Sequence, residues 1–348
     1  MTPPIVELVS ARAALAGNPS DGYRGAVFAI PVAAYSATAH IEQVEQVEQG
    51  YEFVDAHSGV GRFDRWADVE GAARTSTATA PHCLMLGAAA TAARRCGALR
   101  PFRLRVATTI PMSVGLAGSS AIVIASIRAL LRWAGDSMGS GDLAVAALAV
   151  ETDRLGIVAG LQDRVVQVHD RPMLMQFDRT ATLSGPGRFT PVDHRVQGHP
   201  YRFLVATHAG ESEPSQVVHG DLRARYEAGD DVVTSVMPTL AQHAIDAAAA
   251  FESGDIARLG AAMDATFDAR IAMIDLVAGH LEMIATARSH GAHANYTGSG
   301  GSIVVLCPDD HIEEAAHQSL NRLGCTVTSI DGSSPEACVA RTGGAAGG

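Results

Sequence analysis

The sequence predicts an α+β fold divided into two domains. At 348 residues the chain exceeds the size at which a single hydrophobic core stops growing, about 250–300 residues. Segments with strand character and segments with helix character alternate, but without the regular strand–helix–strand rhythm of a doubly wound sheet. The stretch 184–200 is rich in glycine and proline and is the best candidate linker. We therefore expect an N-terminal domain over residues 1–190, a C-terminal domain over 200–340 and a disordered tail over 343–348.

Hydrophobic patterning predicts the elements of the first domain. Alternating or β-branched apolar residues predict strands, and apolar residues at helical spacing predict helices. The predicted strands are 6–15, 26–32, 35–41, 102–110 and 173–177. The predicted helices are 82–95, 119–133 and 142–155, and Gly97 ends the first of them.

The same patterns continue in the second domain, where helices outnumber strands. The predicted strands are 201–206, 294–296, 303–307 and 326–330. The predicted helices are 215–228, 233–252, 256–272, 274–290 and 310–323.

A glycine- and serine-rich turn over residues 111–121 leads directly into the predicted helix 119–133. It reads Pro-Met-Ser-Val-Gly-Leu-Ala-Gly-Ser-Ser-Ala. Backbone N–H groups at the start of a helix, together with the helix dipole, favour binding of an anion. Glycines allow close approach of a phosphate, and the two hydroxyls are able to bind it or a Mg²⁺ ion. The turn predicts a phosphate-binding loop; a capped helix after an ordinary loop is the alternative.

The absence of lysine excludes several phosphate and cofactor chemistries. All 26 basic residues are arginine. A Walker A loop, a pyridoxal-phosphate Schiff base and the strand lysine of protein kinases each need a lysine side chain. Any cation that assists a phosphate in this protein is therefore an arginine.

The net charge and the cysteine pattern limit the binding partners and the cellular compartment that we expect for this protein. The formal net charge of −11 argues against binding to nucleic acid or to an anionic membrane. The five cysteines form no CxxC pair, so neither a disulfide framework nor structural zinc is expected. With no leader-like start and no long uncharged apolar run, the expected localisation is cytoplasmic. A homodimer is left open.

Four segments, in order, resemble motifs of the GHMP small-molecule kinases, the family of galactokinase, homoserine kinase and mevalonate kinase. They are SARAALAGNPSDGY at 10–23, the turn 111–121, ETDRLGIVAGLQDR at 151–164 and TGSGG at 297–301. These look like the substrate motif, the phosphate-binding motif, the segment with the metal ligand and catalytic aspartate, and the C-terminal glycine loop. The resemblance extends over residues 5–330. It implies a two-domain fold with the active site in the cleft between the domains.

Within the family the motifs look most like those of glucuronokinases, which are sugar-1-kinases. The phosphate loop reads Gly-Leu-Ala-Gly-Ser-Ser, one residue longer than the Gly-Leu-Gly-Ser-Ser of the wider family. The resemblance implies transfer of the γ-phosphoryl group of ATP to the anomeric hydroxyl of D-glucuronate, with ATP and Mg²⁺ as cofactors. The implied phosphate-binding residues are Gly115, Leu116, Ala117, Gly118, Ser119, Ser120 and Ala121.

The resemblance also assigns catalytic roles. Asp163 is the implied base that accepts the proton of the sugar hydroxyl, with a helix N-cap as the alternative. Glu151 and Ser120 are the implied Mg²⁺ ligands, and a solvated helix face is the alternative for the glutamate. Arg12 is expected near the site, where it would keep Asp163 ionised or offset phosphoryl charge. A surface position is the alternative for Arg12.

The implied substrate contacts lie in two glycine-containing turns. Those of the first turn are Asn18, Ser20, Asp21 and Tyr23, and those of the second are Gly298, Gly300 and Gly301. Plain turns are the alternative for both, since Asn-Pro-Ser-Asp-Gly favours a turn by itself. The second turn is expected to pack against the substrate or against the phosphate loop. A uronate carboxylate would need an arginine, and Arg164 and Arg24 are the candidates.

Three other functions are left open. One is a GHMP kinase for a different sugar, such as galacturonate or galactose. Another is a non-catalytic sugar or nucleotide sensor on the same fold, and the third is diphosphomevalonate decarboxylase, which the sugar-kinase-like motifs disfavour.

Overall fold

The computed structural model describes residues 4–43, 50–55, 59–76, 80–156, 159–177, 187–193, 201–208, 222–274 and 276–331. The chain forms two compact units, and each is discontinuous in sequence. The first unit comprises Met1–Ala11, Tyr35–Ile110 and Ala117–His169, and the second comprises Arg12–Ala34, Pro111–Leu116 and Asp170–Gly348. The sequence predicts one division near residue 190 instead. The phosphate loop 111–121 is therefore divided between the units after Leu116.

Two long strands supply residues to both units, and the first unit adds three strands and five helices in its described part. The two are β1 (Ile5–Ala16) and β2 (Ala26–Glu42). The other strands are β3 (Tyr51–Asp55), β4 (Gly59–Phe63) and β5 (Phe102–Thr108). The helices are α1 (Trp66–Thr75), α2 (Pro81–Cys96), α3 (Gly118–Trp133), α4 (Ser140–Ala149) and α5 (Leu161–His169).

The strands of the first unit pair in the order β4–β3–β5–β2. β3 and β5 are parallel, with Phe53 opposite Leu104, whereas β2 and β5 are antiparallel, with Ala39 opposite Val106. These four side chains are buried, because alternate residues of each strand point to the same face. The apolar positions of α2 and α3 are buried as well, which places the phosphate loop at the start of a core helix.

The second unit contains a separate four-stranded antiparallel sheet. Its order is β11–β8–β10–β9, with Val304 of β10 opposite Val205 of β8 and Asn295 of β9. The strands are β8 (Arg202–Thr207), β9 (His293–Tyr296), β10 (Ser302–Cys307) and β11 (Thr326–Asp331). The first half of β2 pairs with β6 (Met173–Gln176), which pairs with β7 (Arg188–Pro191).

Three aspartate caps begin helices of the second unit, whose described part contains four helices of ten residues or more. They are α6 (Asp231–Ser253), α7 (Ile256–Ile271), α8 (Ala278–Arg288) and α9 (Asp310–Arg322). The carboxylates of Asp230, Asp255 and Asp309 accept backbone N–H groups in the first turns of α6, α7 and α9. Phe267, Met283 and other apolar residues of α7 to α9 form one core cluster with the inner face of the sheet.

Most predicted elements are present, with four differences in the described residues. The predicted strands 26–32 and 35–41 form the single strand β2, because Pro31 and the residues after it stay extended. The hairpin β3–β4 and helices α1 and α5 were not predicted, and β7 lies within the predicted linker. Part of that linker, residues 215–221 of the predicted helix 215–228 and the predicted tail lie outside the described residues, whereas 222–227 are helical.

None of the helices in the described part of the chain is long and apolar enough to cross a membrane.

Candidate active site

The phosphate loop enters α3 through a backbone with three left-handed residues. Ser113, Gly115 and Ala117 have φ angles of 58°, 76° and 62°. Left-handed residues in such a turn contribute to backbone arrangements that bind anions. α3 begins at Gly118 immediately after the left-handed Ala117. The start of this 16-residue helix therefore has the geometry expected of a phosphate site.

Ser119 contacts Glu151, the implied metal ligand. The Ser119 hydroxyl donates a hydrogen bond of 2.7 Å to Glu151 Oε1. Glu151 is fully buried, so its carboxylate is held in place by the groups around it. A hydroxyl and a carboxylate at this distance are hard oxygen donors of the type that Mg²⁺ accepts.

Ser120, the serine of the predicted ligand pair, has a different environment from Ser119. Its hydroxyl is buried and donates to Gln167 Oε1 at 2.7 Å and to the Ala117 carbonyl at 3.1 Å. The amide of Gln167 in turn donates to the carbonyls of Ala117 and Ser10. Ser120 thus fastens the first turn of α3 to α5. Successive helix residues point about 100° apart, so only one of the two serines faces Glu151.

A π-helical turn, Val150–Arg154, positions Glu151 at the end of α4. The turn packs closely on α2, where a Cβ on Gly87 would lie 2.6 Å from Val150 Cγ1. An extra residue in a helical turn redirects the side chains on it, and such turns are common at functional sites. Here the turn holds Glu151 inward, against the first turn of α3.

Arg164 joins the two acidic residues of the predicted site. Its Nε donates to Glu151 Oε2 at 3.0 Å, and its Nη2 also donates to that oxygen. Its Nη1 donates to Asp163 Oδ2 at 3.1 Å and to the Gly160 carbonyl at 2.7 Å. Because all three nitrogens of Arg164 already donate to protein acceptors, these contacts argue against the expectation that Arg164 binds a substrate carboxylate. The other candidate, Arg24, is exposed on the surface.

Asp163 is the most accessible member of this cluster. Its side chain is 18% exposed, compared with 2% for Arg164 and 0% for Glu151. It lies in the first turn of α5, where the helix dipole favours a carboxylate. A carboxylate that is oriented by an arginine and reaches the surface has the properties of a general base. Within the described residues, no group of three or more histidine, cysteine, aspartate or glutamate side chains forms a metal cluster.

In the second unit, Arg12 ties the phosphate loop to the glycine loop 297–301. Its Nη1 donates to the carbonyls of Gly115 and Thr297, both at 2.6 Å. The backbone N–H of Arg12 reaches the Leu116 carbonyl at 3.4 Å. The side chain is 4% exposed, so the predicted alternative of a surface arginine is wrong.

The glycine loop packs directly against the phosphate loop within this unit. A Cβ on Gly298 would lie 2.5 Å from the Gly115 carbonyl, and a Cβ on Gly301 would lie 3.0 Å from Val114 Cα. Gly300 and Gly301 also have positive φ angles. The glycines are needed at these positions because two backbones approach without room for a side chain.

Two polar side chains of the turn 17–23 form hydrogen bonds within the protein. The amide of Asn18 donates to the Tyr296 carbonyl at 3.2 Å and accepts from Asn295 at 3.0 Å. The Ser20 hydroxyl bonds both backbone groups of Ala26. These contacts favour the turn interpretation for both residues over direct sugar contact.

Tyr23 and Asp21 differ in environment although they share this turn. Tyr23 packs against Tyr226 with ring centroids 4.8 Å apart, inside an apolar cluster with Leu240 and Met273. Burial raises the pKa of the Tyr23 hydroxyl to about 12. Asp21, in contrast, is half-buried.

Three polar residues that contact these segments, each within its own unit, were not singled out from the sequence. Gln167 fastens α5 to α3, and His280 accepts the backbone N–H of Gly301 at 3.0 Å. Arg270 is fully buried and donates to the Gly298 carbonyl at 3.0 Å. The only available sequence signal was for Arg270, a charged residue on the otherwise apolar face of a predicted helix.

Two segments of the chain match family models of the GHMP kinases. Residues 84–171 match "GHMP kinases N terminal domain" and residues 247–324 match "GHMP kinases C terminal". The first match contains Glu151 and Asp163, and the second contains Arg270 and the glycine loop. The chain therefore contains segments that match both GHMP kinase domain models, and the resemblance drawn from its motifs is confirmed.

Two curated relatives from Arabidopsis thaliana are glucuronokinases. The chain is 35% identical over 214 residues to probable glucuronokinase 2 and 35% identical over 218 residues to glucuronokinase 1. Each alignment covers 60% of this chain, but only 57% and 58% of the respective relative. The chain thus spans less than two thirds of the length of the relatives it matches.

Solved structures share the fold at low identity. A mevalonate kinase from Methanococcus jannaschii has a TM-score of 0.76 at 13% identity, covering 95% of this chain and 98% of its own. A Lactococcus lactis galactokinase, solved with galactose, has a TM-score of 0.74 at 16% identity, covering 94% of both chains. The predicted α+β fold is confirmed by these likenesses.

Proposed function

We propose that this protein is an ATP-dependent sugar-1-kinase that transfers the γ-phosphoryl group of ATP to the anomeric hydroxyl of D-glucuronate. The observation that carries the proposal is the cluster Ser119–Glu151–Arg164–Asp163, which joins a helix-start phosphate site to an accessible carboxylate. The two GHMP kinase domains support the kinase class. The glucuronokinase relatives support the substrate.

Asp163 is the proposed base. A sugar hydroxyl is a weak nucleophile, and a carboxylate within hydrogen-bond distance accepts its proton as the phosphoryl group is transferred. Arg164 holds Asp163 Oδ2, so the carboxylate needs no reorientation when substrate binds. The N–H groups at the start of α3 orient the phosphates, while the glycine loop and Arg12 hold the backbone of residues 114 and 115.

Ser119 and Glu151 are the proposed residues that hold Mg²⁺, in place of the predicted pair Ser120 and Glu151. Their oxygens are 2.7 Å apart and fit a hard ion that completes its octahedron with phosphate and water. When bound, Mg²⁺ neutralises phosphate charge. Arg164 donates to the second oxygen of Glu151 and so holds this carboxylate in position inside the protein.

Asp21 is the proposed sugar contact in the second unit, and Asn18, Ser20 and Tyr23 shape the turn that presents it. A carboxylate binds a pair of vicinal hydroxyls, and a sugar with the wrong stereochemistry leaves it partly unpaired. Gly298, Gly300 and Gly301 act through the packing of their loop on residues 114 and 115.

The test is phosphoryl transfer from ATP and Mg²⁺ to a panel of acceptors, with products located by phosphorus NMR. The panel contains D-glucuronate, D-galacturonate, D-galactose, D-glucose and mevalonate. An anomeric phosphate from D-glucuronate supports the proposal in full. Turnover of a different sugar keeps the kinase class and replaces the substrate. ATP binding without turnover of any acceptor overturns the proposal that the protein is an enzyme and favours a non-catalytic sensor.

The role of Asp163 is tested by Asp163→Asn, with Asp153→Asn as the matched control. Both are near the π-helical turn, but Asp153 is exposed and is hydrogen-bonded to its neighbour Thr152. Loss of a general base lowers kcat by about 10²- to 10⁴-fold. We expect this loss for Asp163→Asn with ATP affinity retained, and near-normal kcat for the control. Equal kcat values for the two variants would remove Asp163 from the mechanism.

A further inference from the structure

Arg270 is a buried cation whose hydrogen bonds are incomplete. It is 0% exposed, its Nη1 donates to the Gly298 carbonyl, and its Cζ lies 4.9 Å from the centre of the Tyr296 ring. Its Nε and Nη2 are buried and have no hydrogen-bond acceptor among the residues that the structure describes. Burial lowers the pKa of Arg270 to about 10, so the guanidinium is still charged at neutral pH. An unpaired buried charge is costly, and such groups are retained where they bind something.

The two unpaired nitrogens lie on the same edge of the guanidinium group. The N–H bonds of Nε and Nη2 are parallel along this edge and match the two oxygens of a carboxylate. In Arg164 the corresponding edge binds a carboxylate, since its Nε and Nη2 both donate to Glu151. Within the described part of the chain, no carboxylate is in ion-pair contact with Arg270.

The surroundings of Arg270 coincide with the segments that the sequence assigns to the sugar. Gly298 belongs to the glycine loop, and Asp21 of the turn 17–23 is near enough for its charge to raise the pKa of Arg270. These two segments and Arg270 all belong to the second unit. A carboxylate on the substrate would be repelled by Asp21 and attracted by Arg270, which fixes the direction in which a charged sugar lies.

We propose that the Nε–Nη2 edge of Arg270 binds the carboxylate of a uronic acid. This inference rests on the proposed function and assigns the residue that recognises the substrate carboxylate. A neutral sugar has no group that pairs with both N–H bonds, so it leaves the cation unsatisfied and is discriminated against. Because Arg270 is fully covered, binding requires a local displacement of the chain beside it.

The experiment measures equilibrium binding by calorimetry, with and without Mg²⁺ and a non-hydrolysable ATP analogue. The ligands are D-glucuronate, its neutral amide and D-glucose, together with the pair D-galacturonate and D-galactose. The variants are Arg270→Gln and Arg270→Lys. The lysine variant keeps the positive charge but lacks the two parallel N–H bonds of the guanidinium group. Arg258→Gln is the matched control, since Arg258 is an exposed arginine on the same helix, α7.

We expect the wild-type protein to bind a uronate at least about tenfold more tightly than the matching neutral sugar, the value of one charge-assisted hydrogen bond. Arg270→Gln should lower uronate affinity to that of the neutral sugar without changing the latter, and Arg270→Lys should have an intermediate effect. The control should keep the preference. Retention of the uronate preference in Arg270→Gln overturns the inference, and so does a wild-type protein that binds the amide as well as the acid. The wild-type comparison stands even where a variant fails to fold.

Binding and turnover separate this inference from the proposed function. Uronate binding that depends on Arg270, without phosphoryl transfer, overturns the kinase and keeps the carboxylate site. Phosphorylation of neutral sugars without any uronate preference keeps the kinase and overturns the carboxylate site.

Discussion

Arg164 binds Glu151 through two guanidinium nitrogens, and both side chains are almost completely buried. The pair is surrounded by groups that complete its hydrogen bonds, namely Ser119 on the glutamate and Asp163 on the arginine. A buried ion pair of this kind contributes little net stability, but each partner depends strongly on the other. The main effect of Arg164 is therefore to fix the positions of the Glu151 and Asp163 carboxylates.

Arg164→Met is expected to lower the free energy of unfolding by about 3–5 kcal/mol, because it leaves the Glu151 carboxylate buried without its cation. The double variant Glu151→Gln/Arg164→Met should recover much of this loss and remain inactive. Urea denaturation of the single and double variants gives the comparison. Arg95→Met, which breaks the exposed pair with Asp136, is the control and should unfold near the wild-type midpoint. A double variant that is less stable than Arg164→Met would contradict this account of the pair.

The adjacent serines of α3 are expected to give opposite phenotypes. Ser120→Ala leaves the Gln167 carbonyl oxygen buried without its donor and should cost about 1–3 kcal/mol of stability. Ser119→Ala should change stability less and raise the Mg²⁺ concentration needed for half-maximal turnover. Thermal melts and Mg²⁺ titrations of both variants measure the two effects. A shift in Mg²⁺ dependence found only in Ser120→Ala would restore Ser120 as the ligand.

Gly298→Ala is expected to separate the glycine loop from the phosphate loop. Its Cβ would lie 2.5 Å from the Gly115 carbonyl and 2.9 Å from Arg12 Nη2, so both loops must shift. Crowding of a packed site costs about 1–3 kcal/mol. We expect a lower melting temperature and weaker ATP binding. Gly141→Ala is the control, since nothing lies within 4 Å of its Cβ position and alanine favours the first turn of α4. Unchanged ATP affinity in Gly298→Ala would show that the contact between the loops has no part in nucleotide binding.

Alkaline pH is expected to destabilise the second unit through its buried thiols. Burial raises the pKa of Cys307 from 9.0 to about 12 and that of Cys325 to about 11. Between pH 9 and these values the unfolded chain loses protons that the folded chain keeps, so stability falls as pH rises. Denaturation at pH 8, 9, 10 and 11 should show this slope, and Cys307→Ala should reduce it. Val305→Ala on the same strand should lower stability without changing the slope. Identical slopes in the two variants would exclude the Cys307 thiol as a source.

The sequence predicts the framework of this protein well because its elements have strong local signals. α3 has a continuous apolar run, and β5 alternates clearly before the phosphate loop. The hairpin β3–β4 carries no such signal. Gly59 and Gly61 interrupt it, and its pairing with β5 joins residues about 50 positions apart. Pairing of this kind depends on the whole sheet and not on a local pattern.

The residues of the candidate site could be predicted from the sequence, but the direction in which each side chain points could not. Ser119 and Ser120 are indistinguishable in the sequence, and the rotation of α3 assigns one to Glu151 and the other to Gln167. The partner of Arg164 is likewise set by the tertiary structure. Its proximity to Asp163 in the sequence suggests a role in binding the substrate carboxylate, whereas the π-helical turn places Glu151 against it. Arg270 lies about 250 residues from Asp21, and only the tertiary structure brings them together.

The covered, half-paired guanidinium of Arg270 also predicts how the protein would respond to laboratory selection. A methionine at this position fills similar space and needs no hydrogen bonds, so Arg270→Met is expected to raise the melting temperature. A screen for heat resistance alone would therefore favour loss of Arg270, while a screen that also requires discrimination between acidic and neutral sugars would retain it. Stability and specificity compete at this one position.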